Sequence, residues 1–174
     1  TGKRYDTVDI AACERRGVIV SNTPVAGAGA GSVTELTWGL ILALARNIPM
    51  EDRQMRAGEW QHAPGITLRG KTLGVVGLGG LGTDVARIGR AFGMHVLAWS
   101  PNLTEGRAQA GGAQLASKHQ LFSTADVITL HLALAPTTRG VVDRLAIEAM
   151  KPSAILVNTA RAGLVDEDAL VDAL

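Results

Sequence analysis

From Lys71 onward the apolar residues come in short unbroken runs separated by amphipathic stretches. Thr72–Val76, His95–Ala98, Val127–Leu130 and Ile155–Val157 read as strands, with a weaker one at Gln114–Leu115. These runs are apolar throughout rather than alternating, the pattern of strands buried on both faces of a parallel sheet. The stretches between them predict helices over 81–92, 105–110, 118–122, 143–149 and 167–173, the last capped by Asp166. Strand–helix alternation of this kind predicts a doubly wound α/β fold. The first third has another rhythm. Asp9–Arg16 reads as a short helix, Val18–Val20 as a short buried strand and Pro24–Gly31 as a loop. Ser32 and Glu35 form a capping-box pattern that would open a helix running to Arg46. Pro49 interrupts, and a second helix is expected from Met50 to Ala57, closed by Gly58. Residues 61–70 read as a loop, with Trp38 and Trp60 expected to pack the helices.

The first strand runs directly into Gly77-Leu-Gly79-Gly80-Leu81-Gly82, and helical sequence follows at once. Strand, glycine turn and helix in that order are the setting in which G-x-G-x-x-G signals dinucleotide binding. Gly77 would allow the tight turn, Gly79 would remove a Cβ from the path of a pyrophosphate, and Gly82 would let helix and strand approach. The helix N-terminus then offers free N–H groups and a partial positive charge. The chain has 21 glycines, so the pattern alone is weak and gains its weight from this context.

Ligands of doubly wound sheets bind beyond the carboxyl ends of the strands. Candidate positions are therefore 77–82, 99–102, 131–138 and 158–163. The acid usually found about 20 residues after the glycines, on the ribose hydroxyls, is replaced here by Ser100. A serine would bond either a ribose hydroxyl or a phosphate oxygen, and Asn102, Thr104 and Arg107 would assist a phosphate. NAD and NADP thus both remain open. Arg161, at the end of the last strand, would either fork two hydrogen bonds onto a small carboxylate and polarise its neighbouring carbonyl, or sit in a surface ion pair. His131 also follows a strand. No carboxylate lies near it in sequence, so a structural place beside the cofactor fits it better than general acid/base work.

Composition narrows the picture. In 174 residues, 47% are apolar and the formal net charge is +1, which argues against a disordered chain or an electrostatic nucleic-acid binder. Cys13 is the single cysteine, so neither a disulfide framework nor a thiolate metal cluster is expected, and a cytoplasmic location fits. The four histidines lack metal-ligand spacing. The longest apolar run, Leu36–Ala45, is too short to span a bilayer, so no membrane partner is expected.

Several separate blocks resemble the D-isomer-specific 2-hydroxyacid dehydrogenases, the group of phosphoglycerate, glycerate, D-lactate and formate dehydrogenases. They are Asn22-Thr-Pro24 with Val33-Thr-Glu35-Leu, Arg56-Ala-Gly-Glu-Trp60, and Gly70 through Gly82. Further on come His131 with Pro136-Thr-Thr-Arg-Gly140, and Met150-Lys-Pro152 through Val157-Asn-Thr-Ala-Arg161 to Leu170.

The resemblance implies a two-domain NAD(P)-dependent oxidoreductase whose Rossmann-like cofactor domain is this chain. Residues 1–24 would be the remnant of the substrate domain and its crossover, and 25–174 the cofactor domain. Arg161 matches the family's active-site arginine, which holds the carboxylate and oxo group of a small 2-oxo or D-2-hydroxy acid. Gly80 and Leu81 match residues whose backbone meets the pyrophosphate, Ser100 the ribose-reading position, and Leu132 and Thr159 positions lining the cofactor. A homodimer through the 32–57 helices is also implied. Ala162 replaces a common glycine, and Thr1–Asp9 differs from the commoner form. The family's catalytic histidine and partner glutamate lie well beyond the arginine, so both are expected to be missing from this chain, which would then bind cofactor without turnover. The rival on the same fold is an NAD-sensing, corepressor-like interaction protein.

Overall fold

The computed structural model describes residues 8–21 and 28–174. Five strands, β1 (Thr72–Val76), β2 (His95–Trp99), β3 (Gln114–Leu115), β4 (Val127–Leu130) and β5 (Ile155–Asn158), form one sheet in the order β3-β2-β1-β4-β5. Every pairing is parallel, with Leu73 opposite both Val96 and Val127. The chain winds outward from β1 to β3 and then crosses back to β4 on the other side of β1. That reversal opens a crevice between the carboxyl ends of β1 and β4.

The connecting helices are α4 (Gly80–Ala91), α5 (Glu105–Ala110), α6 (Lys118–Thr124), α7 (Arg144–Glu148) and α8 (Glu167–Ala173), with a 3-10 turn at Ala162–Leu164 before α8. Their starts are written locally. Thr104, Ser117, Asp143 and Asp166 each accept a first-turn N–H in the side chain and so satisfy a donor the helix leaves free.

Alternate residues of β1 and β4 enter two separate cores. Leu73, Val75 and Val127 face α4 and its neighbours, where Val85, Ala86, Trp38 and Ile41 are buried. Val76, Ile128 and Leu130 face Leu121, Phe122, Ile147 and Leu164. Burial on both faces explains why the strands read as continuous apolar runs.

The amino-terminal part departs from the sequence expectation in four places. The helix expected from Ser32 instead begins at Ala28, as α2 (Ala28–Ala45). Of the expected Pro24–Gly31 loop, residues 24–27 lie outside the described residues and 28–31 are helical. Once the apolar part of a helix is packed, elongation adds one hydrogen bond per residue, and Ala28 and Ala30 favour it. Pro49 does not delay the next helix, α3 (Ile48–Arg56), but sits in its first turn, where a missing N–H costs nothing.

Val18–Val20 is not a buried strand. After α1 (Ile10–Arg15), Gly17 takes φ +66°, and the Val18 amide donates to the Cys13 carbonyl at 2.9 Å. This closes a Schellman turn that uses the Val18 N–H and leaves Ile19 91% exposed. Trp60, expected to pack helices, is 78% exposed, whereas Trp38 is buried and tilts against Phe92 at 4.9 Å between ring centres. Among the described residues no helix is long and apolar enough to cross a membrane, and no group of His, Cys, Asp and Glu is arranged to hold a metal ion.

Candidate dinucleotide site

The crevice is built around Gly77. The residue has φ +100°, and a Cβ there would stand 2.9 Å from the His131 carbonyl carbon and the Leu132 amide nitrogen. Two hydrogen bonds hold this junction: Gly77 N to the Trp99 carbonyl and His131 N to the Val76 carbonyl, both 2.8 Å. The ends of β1, β2 and β4 thus meet at one point. Gly82 is required for a second reason, because its Cβ would collide with the Gly77 carbonyl oxygen and crowd Val75 at 3.2 Å.

Gly79 and Gly80 differ from these two. A Cβ at either position would meet nothing within 4 Å, and both residues are exposed at the start of α4. Packing within the protein does not call for glycine there, whereas a ligand lying against the backbone does. Gly79 caps α4 with no side-chain acceptor, and the first N–H used in the helix is that of Thr83, on the Gly79 carbonyl at 2.8 Å. The N–H groups of Gly80, partly buried Leu81 and Gly82 precede it and have no intrahelical partner. At the start of a twelve-residue helix, free N–H groups of this kind can receive an anion.

Ser100 follows β2 beside this turn. It is partly buried, its carbonyl accepts from the Leu103 amide at 3.2 Å, and its hydroxyl bonds to no described residue. Across the crevice, the loop after β5 is fixed by Asn158, whose side chain accepts from Ala160 N at 3.0 Å and donates to the Arg161 carbonyl at 2.9 Å. Arg161 is exposed, donates to the Ala160 carbonyl at 2.7 Å, and is in no ion pair among the described residues. The surface-ion-pair alternative for Arg161 therefore has no partner here.

Thr159 lies partly buried, with its hydroxyl 2.9 Å from that of Thr37 on α2. Thr37 spends its own proton on the Val33 carbonyl at 2.8 Å, so Thr159 donates to Thr37. Thr37 and Asn158 were not singled out from the sequence. The signals were a threonine near the start of the apolar run of α2, and an asparagine closing a strand.

Leu132 is partly buried against the α6-side core and forms the wall next to Gly77. His131 bonds through Nε2 to the buried Thr129 hydroxyl at 2.9 Å. Burial pushes its imidazole pKa down to about 4, so at neutral pH it carries no charge. No carboxylate among the described residues pairs with the ring, so it lacks the partner a proton relay would use.

The parallel sheet, its topological switch point and the glycine-lined helix start define a Rossmann-like dinucleotide-binding domain. Residues 38–174 match the model of the D-isomer specific 2-hydroxyacid dehydrogenase NAD binding domain, and the chain belongs to that family. It is 44% identical over 176 residues to a D-3-phosphoglycerate dehydrogenase of Methanocaldococcus jannaschii, covering 99% of this chain and 33% of that protein. Among solved structures it resembles a phosphoglycerate oxidoreductase of Vibrio cholerae o395, with a TM-score of 0.90, 41% identity, and coverage of 99% of this chain and 55% of that one. A D-lactate dehydrogenase of Aquifex aeolicus, solved with NAD and lactic acid, superposes with a TM-score of 0.80 and 34% identity, over 97% of this chain and 51% of that one. The chain thus spans between a third and about half the length of these relatives.

Proposed function

We propose that the protein to which this domain belongs transfers a hydride between nicotinamide C4 and C2 of a small 2-oxo or D-2-hydroxy acid. The observation that carries this reading is the pairing of a helix start with free N–H groups, where two glycines would meet nothing with an added Cβ, and an Arg161 across the same crevice that is in no ion pair among the described residues. The cofactor pyrophosphate would lie on Gly79, Gly80, Leu81 and Gly82, with Gly77 shaping the turn, and the adenosine ribose against Ser100. Leu132 and Thr159 would line the nicotinamide side. Arg161 would anchor the substrate carboxylate and stabilise charge on the oxo oxygen, and the protein would contribute mainly by orienting the two reacting carbons.

Residues 1–24 belong, in this reading, to a substrate domain, and 25–174 to the cofactor domain. The exposure of Val18 and Ile19, two apolar side chains, supports this. The proton donor, a histidine with its glutamate, would lie outside this chain, which would bind cofactor without catalysis. Leu36, Leu40, Leu44 and Ile48 recur every four residues along α2 and into α3, and all are exposed. Such a stripe supports a homodimer through these helices. A cytoplasmic enzyme is the reading that a single free cysteine supports.

Titration of the chain with reduced dinucleotide, followed by nicotinamide fluorescence, tests the cofactor site and should saturate at one equivalent. No binding by a folded chain would refute it. Turnover of 2-oxo acids by this chain alone would refute its expected inactivity, and a monomer mass at micromolar concentration would refute the dimer. In the intact protein, Arg161→Gln should lower kcat/KM for the acid by about a hundredfold, the loss of a charge-assisted pair.

A further inference from the structure

We propose that a groove at the amino end of the sheet binds a small organic anion with an aromatic or branched apolar body. The groove lies at the far end of α4 from the glycine turn, and none of its residues takes part in the dinucleotide reading.

Its volume is about 290 Å³, and it is lined by Leu42 and Arg46 at the end of α2, by Ile66, Leu68 and Arg69 before β1, and by Phe92 after α4. That volume suits a ligand at the small end of those that protein pockets hold. Backbone bonds fix the walls. Gly65 takes φ +71°, where a Cβ would collide with the Ala45 carbonyl oxygen, and Ile66 N donates to that same oxygen at 2.7 Å. Gly70 N donates to the Gly93 carbonyl at 2.9 Å. The segment before β1 is thus tied at one end to α2 and at the other to the turn that closes α4. The twelve residues of α4, about 18 Å of helix, separate this turn from the pyrophosphate end. Leu42 lies about 160° around α2 from Leu40 and Leu44, so pairing through their exposed stripe would leave this flank of the helix open.

The groove combines open apolar surface with unneutralised charge. Phe92 is 38% exposed and Ile66 40%, and Phe92 is backed by the buried Trp38 ring at 4.9 Å. Arg46 and Arg69 are exposed beside them, and neither is in an ion pair among the described residues. Arg69 is laid over Gly93, next to Phe92, with its Cγ and Nη1 3.3 and 3.5 Å from where a Cβ on that glycine would stand. A guanidinium receives a carboxylate through two parallel hydrogen bonds, and an exposed ring face receives another ring. An inorganic anion would leave Phe92 and Ile66 uncovered, and a neutral apolar molecule would leave both arginines unused. A molecule carrying both features, such as an aryl carboxylate, satisfies the two together.

NMR titration of the isotope-labelled 174-residue chain with phenylpropionate, and with its neutral carboxamide, tests this. Phenylpropionate should saturate at about millimolar concentration, as befits a ligand of its size, and should shift the N–H signals of residues 66–70 and 91–93. The carboxamide should bind about fivefold more weakly, the value of charge contacts at an exposed site, and the difference should shrink as salt is raised. Replacing Arg46→Gln and Arg69→Gln together should bring the two ligands to equal affinity while leaving NADH affinity within about twofold of the parent. Circular dichroism would verify that this surface variant is folded. Equal affinity of the two ligands for the parent chain, or a preference that survives the double substitution, would overturn the proposal. Shifts confined to residues 77–82 or 158–163, or no saturation by about 20 mM, would overturn it as well.

Discussion

The two ends of the parallel sheet are made from the same strands and are finished differently. At the amino end, Asp126 accepts from Thr72 N at 2.8 Å and from Lys151 Nζ at 2.9 Å. The backbone there is cross-tied as well, through Asp126 N to the Thr72 carbonyl, Ile155 N to the Asp126 carbonyl and His95 N to the Lys71 carbonyl. At the carboxyl end the Ser100 hydroxyl, the first N–H groups of α4 and most of the Arg161 guanidinium have no partner among the described residues. Groups closed on one another contribute to stability, and groups left open are available to a ligand. The contrast separates residues that keep the domain folded from residues that would hold a cofactor.

The sharpest way to break that separation is at Gly82, where the two demands coincide. Gly82→Ala would push a methyl group into the Gly77 carbonyl and should cost about 3 kcal/mol in urea unfolding, as overpacking of a rigid site does. Cofactor binding should be lost with it.

His131 should contribute next. Its folded pKa of about 4 lies below the ordinary 6.5, so between those values the unfolded chain binds more protons than the folded one. Its stabilising effect is complete above pH 6.5 and is lost as pH falls toward 4, by about 2 to 3 kcal/mol. Thermal unfolding across pH 4–7 should show this slope, and His131→Gln should flatten it.

Asp126 marks the closed end. Burial raises its carboxyl pKa, but the Thr72 amide, the Lys151 hydrogen bond and the nearby lysine charges outweigh burial and hold it below 3.8. Its contribution is therefore present above the ordinary carboxylate range and is lost as pH falls below about 4. Asp126→Ala should destabilise by about 1 to 3 kcal/mol at pH 7 and leave dinucleotide affinity unchanged. Equal losses of stability and affinity would show that the two ends are not independent.

The smallest effect on folding, and the most diagnostic, is expected at Gly79. Its φ of −87° and ψ of −162° suit a capping serine. Gly79→Ser should leave urea stability unchanged or slightly raised, and should weaken dinucleotide binding by about tenfold or more through intrusion on the phosphate path. A variant that binds as well as the parent would remove the ligand-based reason for glycine at this position.

Much of the carboxyl-terminal two-thirds was legible along the chain. The strands were visible because burial on both faces demands unbroken apolar runs, and α8 because Asp166 caps it; Thr104, Ser117 and Asp143 cap α5, α6 and α7 by the same local chemistry, which the structure brought out. The amino-terminal third was less legible. Val18–Val20 has a strand's composition, but a strand needs a partner, and the chain turns through Gly17 instead. Trp60 has a core residue's size and is exposed. α2 includes residues 28–31, although the capping-box pattern lies at Ser32.

What the sequence by itself determined is the local chemistry: the strand–glycine–helix turn, the helix caps, the absence of an acid at Ser100 and the family those motifs resemble. Such features arise within a few residues, where backbone sterics and hydrogen bonding act directly. Only the tertiary structure decided the strand order β3-β2-β1-β4-β5, the meeting of Gly77 with His131 and Leu132, and the Thr37–Thr159 bond across 122 positions. It also separated glycines whose Cβ would clash, Gly77 and Gly82, from Gly79 and Gly80, whose Cβ would meet nothing within 4 Å. These depend on which distant surfaces are buried together, and no short stretch of sequence encodes that choice alone.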